Sequence, residues 1–326
     1  MGTKSTNITL TTGVPQGSVL GPILFSLYVG PLYDITVQHG IRAHFYADDT
    51  QLYIAIDPRS DTSLALKTVE SCLEHIKKWM KHNFLKLNDD KTEMLLVGSR
   101  SNLRKCQSVS IIFGATIVES RSEVKNLGSI FDSELTMDSF ISAKCSSAAY
   151  YLRCISRIRK YLDTESTKTL IHAFVTSRLD YANSLLISAN KSSIARLQVI
   201  QNRAARLIAK SQFKDHVTPM RKQLHWLPVD FRIQFKILLI CFNCVHKTAP
   251  SYLCDLIRLH DPSRCLRSSD KLLLDIPFTR SRFADKCFEV KAPKLWNSLP
   301  LSLRSCQTLN TFKSKLKTYL FKIAYQ

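Results

Sequence analysis

Short apolar runs broken every few residues occupy the first 138 residues, and longer runs with a 3.6-residue period occupy most of the remainder. Residues 7–12 alternate like a short strand and run into Gly13-Val14-Pro15-Gln16-Gly17-Ser18, a loop whose glycines reach backbone angles closed to other residues. Ser18 stands at a helix N-cap position. Pro22 is tolerated in the first turns, Ile23, Leu24, Leu27 and Tyr28 form an apolar face, and the helix should end near Asp34. Residues 41–56 predict a strand–turn–strand unit with Asp48-Asp49 at its tip, because the flanks Ala43–Ala47 and Leu52–Ile56 are short and carry aromatic and β-branched residues. The clearest helix is 61–83, capped by Thr62 or Ser63, with Leu66, Val69, Leu73, Ile76 and Met80 inside and Glu74, Lys77, Lys78 and Lys81 outside. Short strands are expected at 83–88 and 93–97. A hairpin is expected across 108–131, turning at Gly114-Ala115 with Val124–Ile130 beyond.

After about residue 138 the pattern is helical, over 139–161, 165–178, 191–210 and 229–247. In the third of these, Leu197, Ile200, Ala204, Leu207 and Ile208 face one way, while Arg196, Arg203 and Lys210 stand seven apart on another face. Arg153, Arg157 and Lys160 make a similar row. A charge row is ordinarily a solvated face, but these rows lack the acidic partners such a face uses, so phosphate binding stands beside that account. From 261 onward the pattern is less regular. Leu272–Ile276 reads as a strand, Pro277, Pro293 and Pro300 as breaks, and Thr311–Ala324 as a basic amphipathic helix.

Charge sharpens this division. The 326 residues carry a net charge of +20, which points to a polyanionic partner. Residues 1–140 hold 14 Lys and Arg against 15 Asp and Glu; the rest of the chain holds 32 against 11, and therefore the whole excess. Length favours two domains over one, and 45% hydrophobic with 22% charged residues describes a globular chain.

The ten cysteines come with no signal peptide, and most sit in helical patterns, so free thiols in a reducing compartment are expected: nuclear or cytoplasmic, not secreted. Cys241-x-x-Cys244 lies inside an apolar run with no second pair at zinc-site spacing, which favours a core helix over a metal site. No run of 18 apolar residues exists, so no membrane partner is expected. Met1-Gly2 with Thr6 fits a myristoylation pattern only superficially, since strand-like residues follow.

The candidate chemistry begins with Phe45-Tyr46-Ala47-Asp48-Asp49. Alone, this stretch reads as a hairpin with a solvated Asp-Asp turn. Adjacent carboxylates on a rigid tip are also what a hard divalent cation needs when it binds through carboxylates and substrate phosphates. The neighbours bear on the choice. Gly13–Phe25 followed by Phe45–Asp49 resembles reverse transcriptase motifs B and C; Leu87-Asn88-Asp89-Asp90-Lys91-Thr92-Glu93 resembles motif D, and Val124-Lys125-Asn126-Leu127-Gly128 the primer-grip region (motif E). The wording is most similar to LINE-type, non-LTR retrotransposons of the jockey-like group. Their C-terminal stretch is recognisable in Leu197-Gln198-x-x-Gln201-Asn202-x-Ala204-Ala205-Arg206 and Leu224-His225-Trp226-Leu227-Pro228-Val229.

The resemblance implies an α+β fold: a partial polymerase palm, an antiparallel sheet with helices, over 1–138; a mostly helical, basic, thumb-like region over 139–260; and a basic C-terminal region over 261–326. It implies RNA-directed DNA polymerisation by two-metal nucleotidyl transfer, with an RNA template and a DNA primer or duplex as partners. Asp48 and Asp49 would hold Mg²⁺, two ions in the intact family site. Lys91 would lie near the leaving pyrophosphate, with a surface lysine as the plain alternative. Gln16 and Gly17 would lie against the template–nucleotide pair, Tyr46 and Ala47 would shape the floor beneath the primer end, and Arg153, Arg157, Lys160, Arg196, Arg203 and Lys210 would meet phosphates. The family also uses an upstream aspartate, motif A, and a fingers subdomain, whereas Met1–Thr12 contains no carboxylate. The resulting expectations are a 5′-truncated element copy, weak metal binding, no substantial polymerase activity alone, and an exposed sheet edge that limits solubility. The alternative function is a non-catalytic nucleic-acid-binding protein using the basic half. A translated relic with no selected role is a third.

Overall fold

A computed structural model describes residues 14, 17–59, 62–106, 109–114, 116–212, 214–260, 272–281 and 283–326. They fall into two compact units, Met1–Ser122 and Glu123–Gln326. The division lies ahead of residue 138, because the hairpin over the primer-grip-like residues packs with the helices that follow it.

The first unit begins with two short helices, α1 (Gly21–Tyr28) and α2 (Pro31–Gln38), where one was expected over 18–34. Pro31 has no N–H with which to continue the first helix, so the chain restarts with Pro31 as the opening residue of the second. Ser18 is not the cap: α1 starts at Gly21, and the Ser18 carbonyl accepts the Gly21 N–H at 3.3 Å. Strands β1 (Arg42–Tyr46) and β2 (Asp49–Tyr53) form a two-stranded antiparallel sheet pairing Tyr46 with Asp49 and Arg42 with Tyr53. Helix α3 (Ser63–His82) is the centre of the unit. Its Cys72 and Ile76 pack with Leu32, Ile41, Phe45 and Leu52, while Leu73 packs with Ile111, Phe113 and Val118. The hairpin is attached to this core by the half-buried Phe45 and Leu52, with Ile54 just beyond β2.

Asn83–Asn88 is not a strand, although Leu85 and Leu87 still point into the core. The strand expected at 93–97 shrinks to β3 (Met94–Leu95), and α4 (Arg100–Lys105) follows, capped by the Ser99 hydroxyl. The hairpin expected across 108–131 is two hairpins: β4 (Ser110–Phe113) with β5 (Thr116–Arg121), and β6 (Glu123–Asn126) with β7 (Ser129–Asp132). Instead of one antiparallel sheet, the described residues form three small ones, and β3 joins β5 in parallel. At the β4 turn, Gly114 has φ +61°, and an added Cβ would strike the Lys77 ammonium, which binds Asp89 at 2.8 Å.

In the second unit Asp132 closes the turn after β7 by accepting the N–H groups of Glu134, Thr136 and Met137. The helices are α5 (Asp138–Ile158), α6 (Thr164–Ile171), α7 (Ser177–Asp180), α8 (Lys191–Ala209), α9 (Val217–Gln223) and α10 (Val229–Val245). They continue with α11 (Ser251–Cys254), α12 (Phe288–Asn297), α13 (Leu301–Arg304) and α14 (Leu309–Ala324). Helix α10 belongs to both cores of the unit: Val229 and Ile233 face α5 and α8, and Ile237, Leu238, Cys241 and Phe242 face Trp296, Phe312, Leu316 and Leu320. The described part of 261–326 therefore packs onto α10. Pro293 does not break the chain but sits buried inside α12, where packing of Val290, Ala292 and Trp296 outweighs one lost helix hydrogen bond. Leu272–Ile276 forms only a single bridge, Leu274 to Leu259. Cys241 and Cys244 are buried in α10 as free thiols.

Candidate catalytic hairpin and candidate nucleic-acid interface

The β1–β2 hairpin has two faces because alternate residues of a strand point to opposite sides. Phe45 and Leu52 go to the core; Arg42, His44 and Tyr46 with Asp49, Gln51 and Tyr53 lie on the other face. On that face the His44 and Tyr53 rings stack at 5.4 Å, and the Tyr53 hydroxyl and His44 Nε2 are hydrogen-bonded at 3.0 Å. Tyr46, Ala47, Asp48 and Asp49 are all exposed. Ala47 and Asp48 are the two turn residues, and Ala47 has φ +52°. A left-handed conformation costs a non-glycine residue about 1–2 kcal/mol, so the tight turn that presents Asp48 is held under strain. The two carboxylates supply hard oxygen donors suited to a divalent cation. Among the described residues no group of three or more His, Cys, Asp or Glu is arranged around a common metal position.

The other expected residues of this site lie on separate segments. Gln16 falls outside the described residues. Gly17 has φ +89° with open space where a Cβ would be, so its backbone angle alone requires glycine. Lys91 ends a short 3₁₀ turn, Asp89–Lys91, and is exposed; Leu87 just before it packs on the core that also holds Leu52. Arg42, His44 and Tyr53 were not singled out from sequence. The signal available was the alternation within β1 and β2, which puts them on the face of Tyr46 and Asp49.

In the second unit, α5 and α8 pack side by side through Ala148, Leu152, Ile155, Leu197, Ile200 and Ala204. The rows of basic residues flank this seam. A groove of about 220 Å³ is lined by Ala149, Leu152, Arg153 and Ser156 of α5 and by Arg203 and Leu207 of α8, so Arg153 and Arg203 share it. Arg153, Arg157 and Arg203 are exposed and form no ion pair among the described residues. Arg196 donates to the Ser142 hydroxyl at 2.9 Å, Lys160 lies 4.8 Å over the Tyr161 ring, and Lys210 ends α8 with φ +53°. Apart from Asp138 at its start, neither helix contains an acidic residue.

Two further cations have a different task. Arg159 is buried and donates to the Leu207, Ile208 and Leu162 carbonyls, closing the end of α8. Lys144 is buried with its ammonium donating to the carbonyls of Arg178, Leu179 and Tyr181. Burial pulls its pKa down to about 8, and the Asp180 charge opposes that shift. Their roles depend on which way each faces around the helix, which a basic residue type does not reveal.

Residues 1–131 match the family described as reverse transcriptase (RNA-dependent DNA polymerase). The chain is 28% identical over 238 residues to a probable RNA-directed DNA polymerase from transposon BS of Drosophila melanogaster, covering 69% of this chain and 25% of that relative. It is 28% identical over 148 residues to the RNA-directed DNA polymerase from mobile element jockey of the same fly, covering 43% and 15%. A retrovirus-related Pol polyprotein from type-1 retrotransposable element R1 of Bradysia coprophila is 25% identical over 203 residues, covering 61% and 19%. The chain spans about a quarter of the length of the first two curated relatives it matches. No solved structure matches it. Among the described residues no helix is long and apolar enough to cross a membrane.

Proposed function

Residues 1–131 belong to the reverse transcriptase family, and from that premise we propose that the protein is the palm-and-thumb portion of a mobile element's RNA-directed DNA polymerase. The observation that carries this is the hairpin tip: Asp48 and Asp49 are exposed, adjacent and fixed by Phe45 and Leu52 to a packed core. In this reading Asp48 and Asp49 are the chain's Mg²⁺ ligands. Bound there, the cation supplies stabilisation of charge on the attacking and leaving oxygens of an in-line phosphoryl transfer. Tyr46 lies opposite Asp49 in the register, on the face directed away from the core, and supports the primer end beside Ala47. Gln16 and Gly17 border the template–nucleotide pair, and Lys91 serves the leaving pyrophosphate as a charge partner or proton donor. The palm is the first unit and the thumb the second. RNA template and DNA primer are the partners.

Iron(II)-dependent hydroxyl-radical cleavage of the chain tests the metal assignment without requiring turnover. Cuts flanking residues 46–50 that vanish in Asp48→Asn and Asp49→Asn, and are suppressed by Mg²⁺, support the reading. Cuts elsewhere, or cuts indifferent to both variants, refute it. Primer extension on an RNA template adds an independent check, because extension unaffected by Asp48→Asn is incompatible with the proposal.

A second reading, nucleic-acid binding without catalysis, is favoured by Arg153 and Arg203 sharing one groove free of acidic partners. Affinity that is retained in the doubly substituted Asp48→Ala, Asp49→Ala chain and falls steeply with salt would support it. A flat salt response would count against it.

A further inference from the structure

We infer that the α5–α8 face binds an unpaired nucleic-acid strand, with Tyr150 and Tyr161 stacking on its bases while the groove arginines take its phosphates. This rests on the nucleic-acid reading above and adds the class of ligand. Four observations carry it.

Tyr150, Arg153 and Arg157 recur at three- and four-residue spacing, so they form one stripe along α5, and Tyr161 ends the turn that follows. Both tyrosines are open to solvent, Tyr150 at 55% and Tyr161 at 77% exposure. Neither ring contributes to the core of the unit. An exposed aromatic bordering a row of arginines has a π-face that any base can use.

Tyr150 is also held in place. Its ring meets Tyr151 edge-on at 5.2 Å; Tyr151 stacks on Phe174 at 5.3 Å, and the Arg178 guanidinium lies 3.9 Å from the Tyr151 ring centre. A ring braced this way loses little freedom when a base stacks on it. On Tyr161 the Lys160 ammonium lies over the ring, which puts a phosphate partner beside a stacking surface.

The groove, of about 220 Å³, has room for one phosphate or one base. The tyrosines make the selection: a duplex keeps its bases stacked inside, where exposed rings cannot reach them. The opposite bank adds apolar surface: Val199, between Arg196 and Arg203 on α8, is exposed.

The test is fluorescence anisotropy on the full chain with three probes of equal strand length: oligothymidylate, the same backbone without bases, and a duplex. The normal single strand should bind at least about fivefold tighter than the abasic strand for each base stacked. Tyr150→Ser and Tyr161→Ser should each remove one such factor while leaving abasic binding unchanged, and Tyr150→Phe should preserve it. Both positions are exposed, and circular dichroism with thermal melting verifies that the serine variants stay folded. Equal affinity for the normal and abasic strands, or duplex preference unaffected by the serine variants, overturns the inference while leaving phosphate binding intact. No binding of any probe at low salt overturns the nucleic-acid reading as well.

Discussion

Replacing Arg153 and Arg203 together by alanine removes the two cations that line one groove, and the structure sets the size of the effect. Six basic side chains lie along the α5–α8 face: Arg153, Arg157, Lys160, Arg196, Arg203 and Lys210. None is neutralised by a carboxylate among the described residues, since Arg196 bonds a neutral hydroxyl and Lys160 lies on an aromatic ring. If each meets one phosphate of a single strand, the logarithm of affinity falls against the logarithm of salt with a slope of about −4. Between 50 and 200 mM salt this is a loss of about 300-fold. The double variant keeps four contacts, so its slope should be about −3 and its loss over the same range about 50-fold. Both positions are exposed, so stability should change by less than about 0.5 kcal/mol at each. Anisotropy titrations at five salt concentrations measure the slopes, with Lys236→Ala on the exposed side of α10 as a control that should leave the slope unchanged. An unaltered slope in the double variant would refute the geometry. A wild-type slope near zero would refute the polyanion reading itself.

Ala47→Gly should relieve the left-handed turn and raise the local opening free energy of the hairpin by about 1 kcal/mol, measured by amide exchange at β1 and β2; unchanged or faster exchange contradicts strain at this turn. Lys144→Met should cost about 3 kcal/mol, because three carbonyls lose a charged donor, and chemical denaturation measures it. Since the folded Lys144 pKa of about 8 lies below its ordinary 10.5, the unfolded chain holds the extra proton between these values. Protonating the buried amine therefore costs stability: the increment held by the neutral side chain is fully present above about pH 10.5 and is lost as pH falls through about 8. The methionine variant should lack this part of the pH dependence, and identical profiles for both proteins would exclude the linkage. Burial pushes the Cys244 thiol up to about 11 and raises Cys241 further, so alkylation at pH 8 should label exposed Cys287 well before either. Native labelling of Cys241 would contradict the buried helix.

The elements most readable from sequence were those whose apolar residues repeat over many turns. Helix α3 was expected over 61–83 and spans Ser63–His82; α8 was expected over 191–210 and ends at Ala209. Errors came where packing overrode a local rule. Pro293 reads as a breaker, yet Trp296 and its neighbours keep it inside a helix. The stretch at 165–178 is continuous but contains a π-helical turn, His172–Thr176, which periodicity cannot distinguish from an ordinary turn. The Asp48-Asp49 tip could be read as a hairpin from its flanks. The Ala47 conformation that tightens it could not, because nothing in the residue type requires a positive φ. Likewise, the rows of basic residues were visible as rows, but the meeting of Arg153 and Arg203 in one groove depends on how α5 packs against α8. The expected solubility limit acquires a further physical basis in Val19, Ile23 and Leu27, which stay exposed around α1.

Arg159 gives the basic face an asymmetry that a mutational scan would misread. It sits next to Lys160 in sequence, but it is buried and its guanidinium is spent largely on the last carbonyls of α8. It therefore acts as a tie-rod between the turn after α5 and the C-terminal end of α8, the two helices whose Arg153 and Arg203 line the groove. On the nucleic-acid reading proposed above, substituting it should weaken polyanion retention as loss of an arginine contact does, but through a changed separation of the banks. The salt slope separates the two cases: loss of a phosphate contact lowers it, and loss of the tie-rod lowers affinity at every salt concentration alike.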